Sequence, residues 1–154
     1  DAEETGGSLF DKLAVEGAKL CVHTMEEIKA GRATYTKQEE AKATHTSMIK
    51  KQLGKIDWTR SALEIERLIR GLNPWPSAYT SLNGKTLKIW RASVAEGGDT
   101  KKAGTIVSLT KDEIGVQTGD GILILKEVQL EGKKRMQADA FLRGYPLTTG
   151  VLLQ

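Results

Sequence analysis

The sequence predicts an α+β fold: a small open β-barrel with flanking helices, and a further helical segment on its N-terminal side. Three observations carry this. Five short runs of strand-forming residues crowd into residues 78–130, with turn signals between them. Two amphipathic helical patterns, each opening on a capping box, come before them. Sixteen glycines against three prolines suit a turn-rich, strand-containing chain better than a helical bundle.

The first element is a helix over residues 8–31. Ser8 and Asp11 have capping-box spacing, a hydroxyl followed three residues later by an acid. Phe10, Ala14, Ala18, Cys21, Met25 and Ile28 recur at helical spacing, and Gly31 is the stop. Gly17 weakens the middle and is a point where the segment can split in two. Such a stripe cannot be buried by the helix alone, so it must dock on the rest of the chain or on something beyond it. Residues 32–56 read as a linker, rich in Thr, Lys, Gln, Glu and Ala, with Lys50, Lys51 and Lys55 around Gly54 at its end. A second helix spans residues 61–72, with a Ser61/Glu64 capping box and Ile65, Leu68, Ile69 and Leu72 on one face. Arg60, Arg67 and Arg70 fall off that face. Asn73-Pro74 ends it, because the residue before proline is pushed out of the helical region.

Strands are expected at 78–82, 85–94, 105–109, 114–118 and 122–130. Asn83-Gly84 joins the first two as a two-residue hairpin turn. In the second strand Lys88 falls on one face, and Lys85 and Arg91 on the other. Residues 95–103 are a polar loop; Lys111-Asp112 and Gly119-Asp120-Gly121 mark the later turns, the last a tight turn with left-handed glycines. A short helix over 136–143, carrying Met136, Ala140 and Phe141, closes the chain.

Composition excludes more than it selects. No apolar run approaches the roughly 20 residues of a membrane span, and no signal-peptide pattern opens the chain. The acidic start Asp1-Ala2-Glu3-Glu4, without an initiator Met, reads as a chain cut from something longer. A single cysteine, Cys21, cannot form an internal disulfide and reads as a small buried hydrophobe, in keeping with a reducing compartment. Cys21, His23 and His45 do not have metal-ligand spacing. No nucleophile, base and orienting group form a set, and Gly119-Asp120-Gly121 lacks the Lys-Ser/Thr tail of a phosphate loop.

Binding is what remains. The net charge of +3 is unevenly spread: residues 1–43 carry −3 and residues 44–154 carry +6. Lys50, Lys51 and Lys55 form one basic cluster; Lys133, Lys134 and Arg135 form another; Lys85, Lys88 and Arg91 lie along the hairpin. These side chains read either as a solvated lysine surface or as contacts to the phosphates of a polyanion. Trp58 and Trp75 flank the second helix, where packing against it is expected, while Trp90 lies on a strand. All three have rings able to stack on bases.

An ordered set of short motifs resembles the C-terminal half of the methionyl-tRNA formyltransferase family. The set runs Lys55-Ile56-Asp57-Trp58, Asn73-Pro74-Trp75-Pro76 with Ala78-Tyr79, Leu87-Lys88-Ile89-Trp90, Gly104-Thr105-Ile106, Thr118-Gly119-Asp120-Gly121, and Gly132-Lys133-Lys134-Arg135-Met136 with Phe141. Gly7-Ser8-Leu9 and Asp11-Lys12-Leu13 resemble the last helix of that family's catalytic domain. The resemblance implies residues 1–31 as a helical remnant of a Rossmann-like domain, 32–56 as linker and 57–154 as a barrel related to OB folds.

It also implies a cytoplasmic enzyme that moves a formyl group from 10-formyltetrahydrofolate to the methionine amino group of initiator methionyl-tRNA. The family's catalytic Asn, His and Asp lie in the N-terminal domain near a His-Pro-Ser type sequence. No such sequence occurs here, so no catalytic, cofactor or metal residue is carried over and the chain alone is expected to be inactive. Linker and barrel help hold the tRNA in that family. The implied nucleic-acid contacts are Lys50, Lys51, Lys55, Lys88, Arg91, Lys133, Lys134 and Arg135, with the catalytic domain as a second partner and neither membrane nor DNA expected. Two other readings stay open: the barrel of a related sugar or folate formyltransferase, and a stand-alone interaction module.

Overall fold

A computed structural model describes residues 1–98 and 101–154. Residues 99 and 100, within the expected 95–103 loop, lie outside the described residues. The order is α1 (Gly6–Lys29), α2 (Ala62–Gly71), β1 (Ala78–Leu82), β2 (Lys85–Ala95), β3 (Ile106–Leu109), β4 (Ile114–Gln117), β5 (Ile122–Leu130), β6 (Met136–Gln137) and α3 (Ala138–Gly144).

All five expected strands form, joined by a short sixth. They make one antiparallel sheet of order β1-β2-β5-β4-β3, with β6 on β5. The C-terminal residues span the gap between the two edges. Gln154 donates its N–H to the Ser81 carbonyl of β1 at 3.1 Å, and Leu153 donates to Gly104, beside β3, at 2.8 Å. The result is the OB-like barrel expected. Its interior is lined by alternate residues of the strands, Leu87 and Ile89 of β2 and Leu123 and Leu125 of β5 among them. Burying alternate residues is what a pleated strand with one face inward does.

Helix α2 supplies Ala62, Ile65 and Ile69 to the same core. Its capping box is intact: Glu64 N–H donates to Ser61 Oγ, and Ser61 N–H donates to the Glu64 carboxylate. The helix stops at Gly71, just before the Asn73-Pro74 bond. The Asn83-Gly84 turn has φ of 50° and 78°, the left-handed pair that a two-residue hairpin of this twist requires. Trp58 is buried, and its indole N–H donates to Thr80 Oγ1, which donates in turn to the Gln154 carbonyl. Every polar group in that buried chain has a partner. Gly119 matters for close approach: a Cβ there would lie 1.8 Å from the Thr59 carbonyl oxygen, while the Gly119 N–H donates to the Trp58 carbonyl. Only Gly121 of that turn has a left-handed φ, at 82°.

The N-terminal third departs from expectation in three ways. Helix α1 begins at Gly6, capped by Thr5 with Ser8 as reciprocal partner, so Ser8 closes the box and does not open it. The helix is continuous through Gly17, since one glycine's loss of helix propensity is small beside 24 residues of backbone bonding. It buries no residue, and Cys21 is exposed with the rest of the stripe. Its N-terminal end meets the rest of the chain: Gly7 N–H donates to the Asn73 carbonyl, Arg70 donates to the carbonyl of Glu4 just before the helix, and Phe10 lines a groove with Pro74 and Trp75. Residues 32–49 are exposed apart from partial burial at Ala33 and Ala43, with one short 3-10 turn at Glu40–Lys42. At the other end, Met136 belongs to β6 and not to the closing helix, because it pairs with Val128 of β5. No helix among the described residues is long and apolar enough to cross a membrane.

Candidate nucleic-acid interface

The barrel's outer face is built by a row of cross-strand neighbours. Lys55 bridges Tyr79, Tyr79 pairs with Lys88, and Lys88 pairs with Gln129. Directly opposed residues share a face, so all four side chains leave the same side of the sheet. Neighbouring strands are about 4.8 Å apart, which puts Lys55 and Lys88 roughly 10 Å from each other along the row. The two basic clusters, far apart in sequence, thus belong to one surface with Lys88 between them.

A bulge decides what joins Lys88. Simple alternation places Arg91 on the opposite face, but the pairing shifts between Ile89 and Arg91, leaving Trp90 as an extra residue in β2, and shifts back between Arg91 and Ala92, leaving Lys126 as an extra residue in β5. After the shift, Ala92 packs on the core and Arg91 is exposed. Arg91 Nη2 donates to Gln137 Oε1 at 3.2 Å, on the strand beyond Glu127. Lys88, Trp90 and Arg91 therefore share the outer face.

Trp90 is the centre of this patch. The Lys88 ammonium lies 5.6 Å from the indole centroid, and the Arg135 guanidinium 4.7 Å. Arg135 also donates to Glu127 Oε2 at 2.6 Å, and that carboxylate holds the guanidinium even more firmly protonated than usual. Lys133 and Lys134 are exposed in the β5–β6 turn, and neither enters an ion pair among the described residues. Lys50 and Lys51 are exposed at the start of a 3-10 turn, Lys51–Gly54, which leads directly to Lys55.

Shallow grooves run along the row. One of about 610 Å³ lies between residues 52–57 and α2, and Lys55, Arg60 and Arg67 contribute cations to its lining. Asp57 and Glu64 also line it. The Thr59 hydroxyl hydrogen-bonded to Asp57, and the Ser61 N–H hydrogen-bonded to Glu64, hold both carboxyls below the ordinary range. A second groove shares Lys55 with the first and adds Lys85; a third shares Thr86 with the second and adds Lys88. Arg60 and Arg67, which charge runs in the sequence did not single out as sites, thus join the surface, and Lys85 of the hairpin lines a groove with Lys55. Arg70 does not join it, being half-buried and paired with Glu66. Trp75 is exposed beside Phe10, Ile49 and Pro74, not packed into the core against α2 as expected. His23 and His45 are exposed, and no group of three His, Cys, Asp or Glu able to hold a metal occurs among the described residues.

The chain is similar to known proteins along nearly its whole length. Residues 48–146 match the family described as formyl transferase, C-terminal domain. A methionyl-tRNA formyltransferase of Agathobacter rectalis is 62% identical over 148 residues, covering 96% of this chain and 48% of that protein. One from Bacillus subtilis is 45% identical, covering 99% of this chain and 49% of that protein. The chain thus spans about half the length of the curated relatives it matches. Among solved structures, a variant of HypX from Aquifex aeolicus superposes with a TM-score of 0.62 at 19% identity, over 91% of this chain and 26% of that one, a likeness of fold. HypX in complex with tetrahydrofolic acid superposes at 0.56 and 18% identity, over 77% of this chain and 21% of that one. With the barrel, its capped inner helix and the family match in agreement, the chain belongs to the formyltransferase C-terminal domain family.

Proposed function

We propose that this chain is the tRNA-orienting part of a methionyl-tRNA formyltransferase. It grips initiator methionyl-tRNA in the cytoplasm, while the transfer of formyl from 10-formyltetrahydrofolate to the methionine amino group falls to residues outside these 154. The observation that carries the reading is the row Lys55, Tyr79, Lys88 and Gln129, which makes one track of two separate basic clusters. A tRNA is a dense polyanion, and holding its acceptor end at a reacting centre takes several charges in fixed relation. The same reading assigns residues 1–31 to the last helix of a catalytic domain, 32–56 to a linker and 57–154 to the barrel; the uncovered stripe of α1 supports it. A barrel serving a nucleotide-sugar enzyme has no comparable need of such a track.

No step of formyl transfer is assigned to this chain.

Affinity for initiator methionyl-tRNA, titrated against salt, tests the proposal. Log affinity should fall steeply with log salt. Replacing Lys133, Lys134 and Arg135 by Ala should flatten the slope by roughly 0.7–0.9 for each phosphate that is no longer neutralised. A slope unchanged by the triple substitution removes that cluster from the interface. No binding at low salt by the intact chain sinks the proposal.

A further inference from the structure

We infer that Trp90 and Gln129 are positioning residues that hold the basic cluster in a binding-ready arrangement; this rests on the tRNA reading above. Three independent contacts meet at the indole. Its N–H donates to Gln129 Oε1 at 3.2 Å, and Gln129 Nε2 donates to the Lys133 carbonyl at 3.0 Å. One amide therefore ties the β2 bulge to the turn that carries Lys133 and Lys134. The ring also attracts Lys88 and Arg135, which come from two different elements, through its negative faces.

The physical role follows from chain entropy. Free lysine and arginine side chains lose rotamer freedom when they engage a phosphate, and that loss is subtracted from affinity. Cations already leaning on a fixed ring have lost much of it beforehand. Glu127 completes the device by fixing the planar fork of Arg135 through a 2.6 Å charge-assisted bond. With Lys88 and Arg135 at its ring, the indole presents cations and not a bare stacking surface. Its bulge position matters, because the extra residue in β2 lets Trp90 and Arg91 both face outward.

The test is binding of initiator methionyl-tRNA by the full chain and its variants at one low salt concentration, with thermal melting as a control on folding. Trp90→Leu should weaken binding about tenfold, whereas Trp90→Phe, which keeps a ring face, should stay within about threefold of wild type. Gln129→Leu should cost about threefold by releasing the turn. In a K88A/R135A background the Trp90→Leu penalty should shrink to less than about twofold, because the groups it positions are gone. Wild-type affinity in Trp90→Leu overturns the inference, as does an undiminished penalty in the K88A/R135A background, which would mean the indole acts on its own account. Should Trp90→Leu melt early, Gln129→Leu decides, and unchanged binding there overturns the inference. If the wild-type chain binds no tRNA, the functional reading fails; if it binds and the variants behave like it, only the positioning role fails.

Discussion

Helices α1 and α2 share a local design and have opposite fates. Both open on a reciprocal capping box, and both repeat apolar residues at helical spacing. In α2 that stripe is sealed in the barrel, with Ile65 and Ile69 each 1% exposed. In α1 it faces solvent, with Phe10 72% exposed and the neighbouring Leu13 61%, and no residue of the helix is buried. Amphipathic spacing therefore states that a helix has an apolar face, but not what covers it. The cover depends on where the chain's other apolar surface ends up.

The difference in burial predicts its largest effect in the core. Ile69→Ala should destabilise the chain by about 2–5 kcal/mol in denaturant unfolding, the range for emptying a packed site. Leu13→Ala should change it by less than about 0.5 kcal/mol, as for other exposed substitutions. A comparable loss from Leu13→Ala would mean that α1 is covered after all.

Two glycines offer a smaller contrast with opposite signs. Gly119→Ala drives a Cβ into the Thr59 carbonyl and should cost about 1–3 kcal/mol. Gly17→Ala meets nothing within 4 Å and should stabilise α1 by about 0.5–1 kcal/mol, visible as increased helicity on heating.

A loss of similar size is expected in the α2 cap. Ser61→Ala should cost about 1 kcal/mol in thermal or chemical unfolding. Glu64 adds a pH dependence whose sign is set by its depressed carboxyl. The contribution is fully present above the ordinary carboxylate value and is lost as pH falls through the lower folded value. Glu64→Gln should therefore be less stable than wild type at neutral pH, with the gap closing in acid. A gap that widens in acid would contradict the capping assignment.

Much of the fold was legible in the residues. Strand positions and the Asn83-Gly84 turn follow from period-two patterning and left-handed turn chemistry, and the Ser61/Glu64 box from spacing alone. The site was legible only as scattered charges. Simple alternation separated Arg91 from Lys88, and nothing in the run 85–95 announces the bulge at Trp90. Arg60, Arg67 and Lys85 were visible as cations, but their place beside Lys55 depends on strand neighbours and on how α2 lies against residues 52–57. Trp75 and Cys21 misled for a related reason: both lie beside apolar neighbours in sequence that find no cover in the fold.

Local chemistry was settled by the amino acids themselves: the caps, the turn, the alternation within each strand and the excess of positive charge after residue 43 all arise between near neighbours in sequence. Folding in three dimensions decided which charges meet. Lys55, Lys88 and Arg135 come to one surface because β1, β2 and β5 are neighbours in one sheet, and the extra residue in β2 turns Arg91 to the same side as Trp90. Register is a property of pairs of strands, and the burial of a helix stripe is a property of the whole core; neither is written in any single segment.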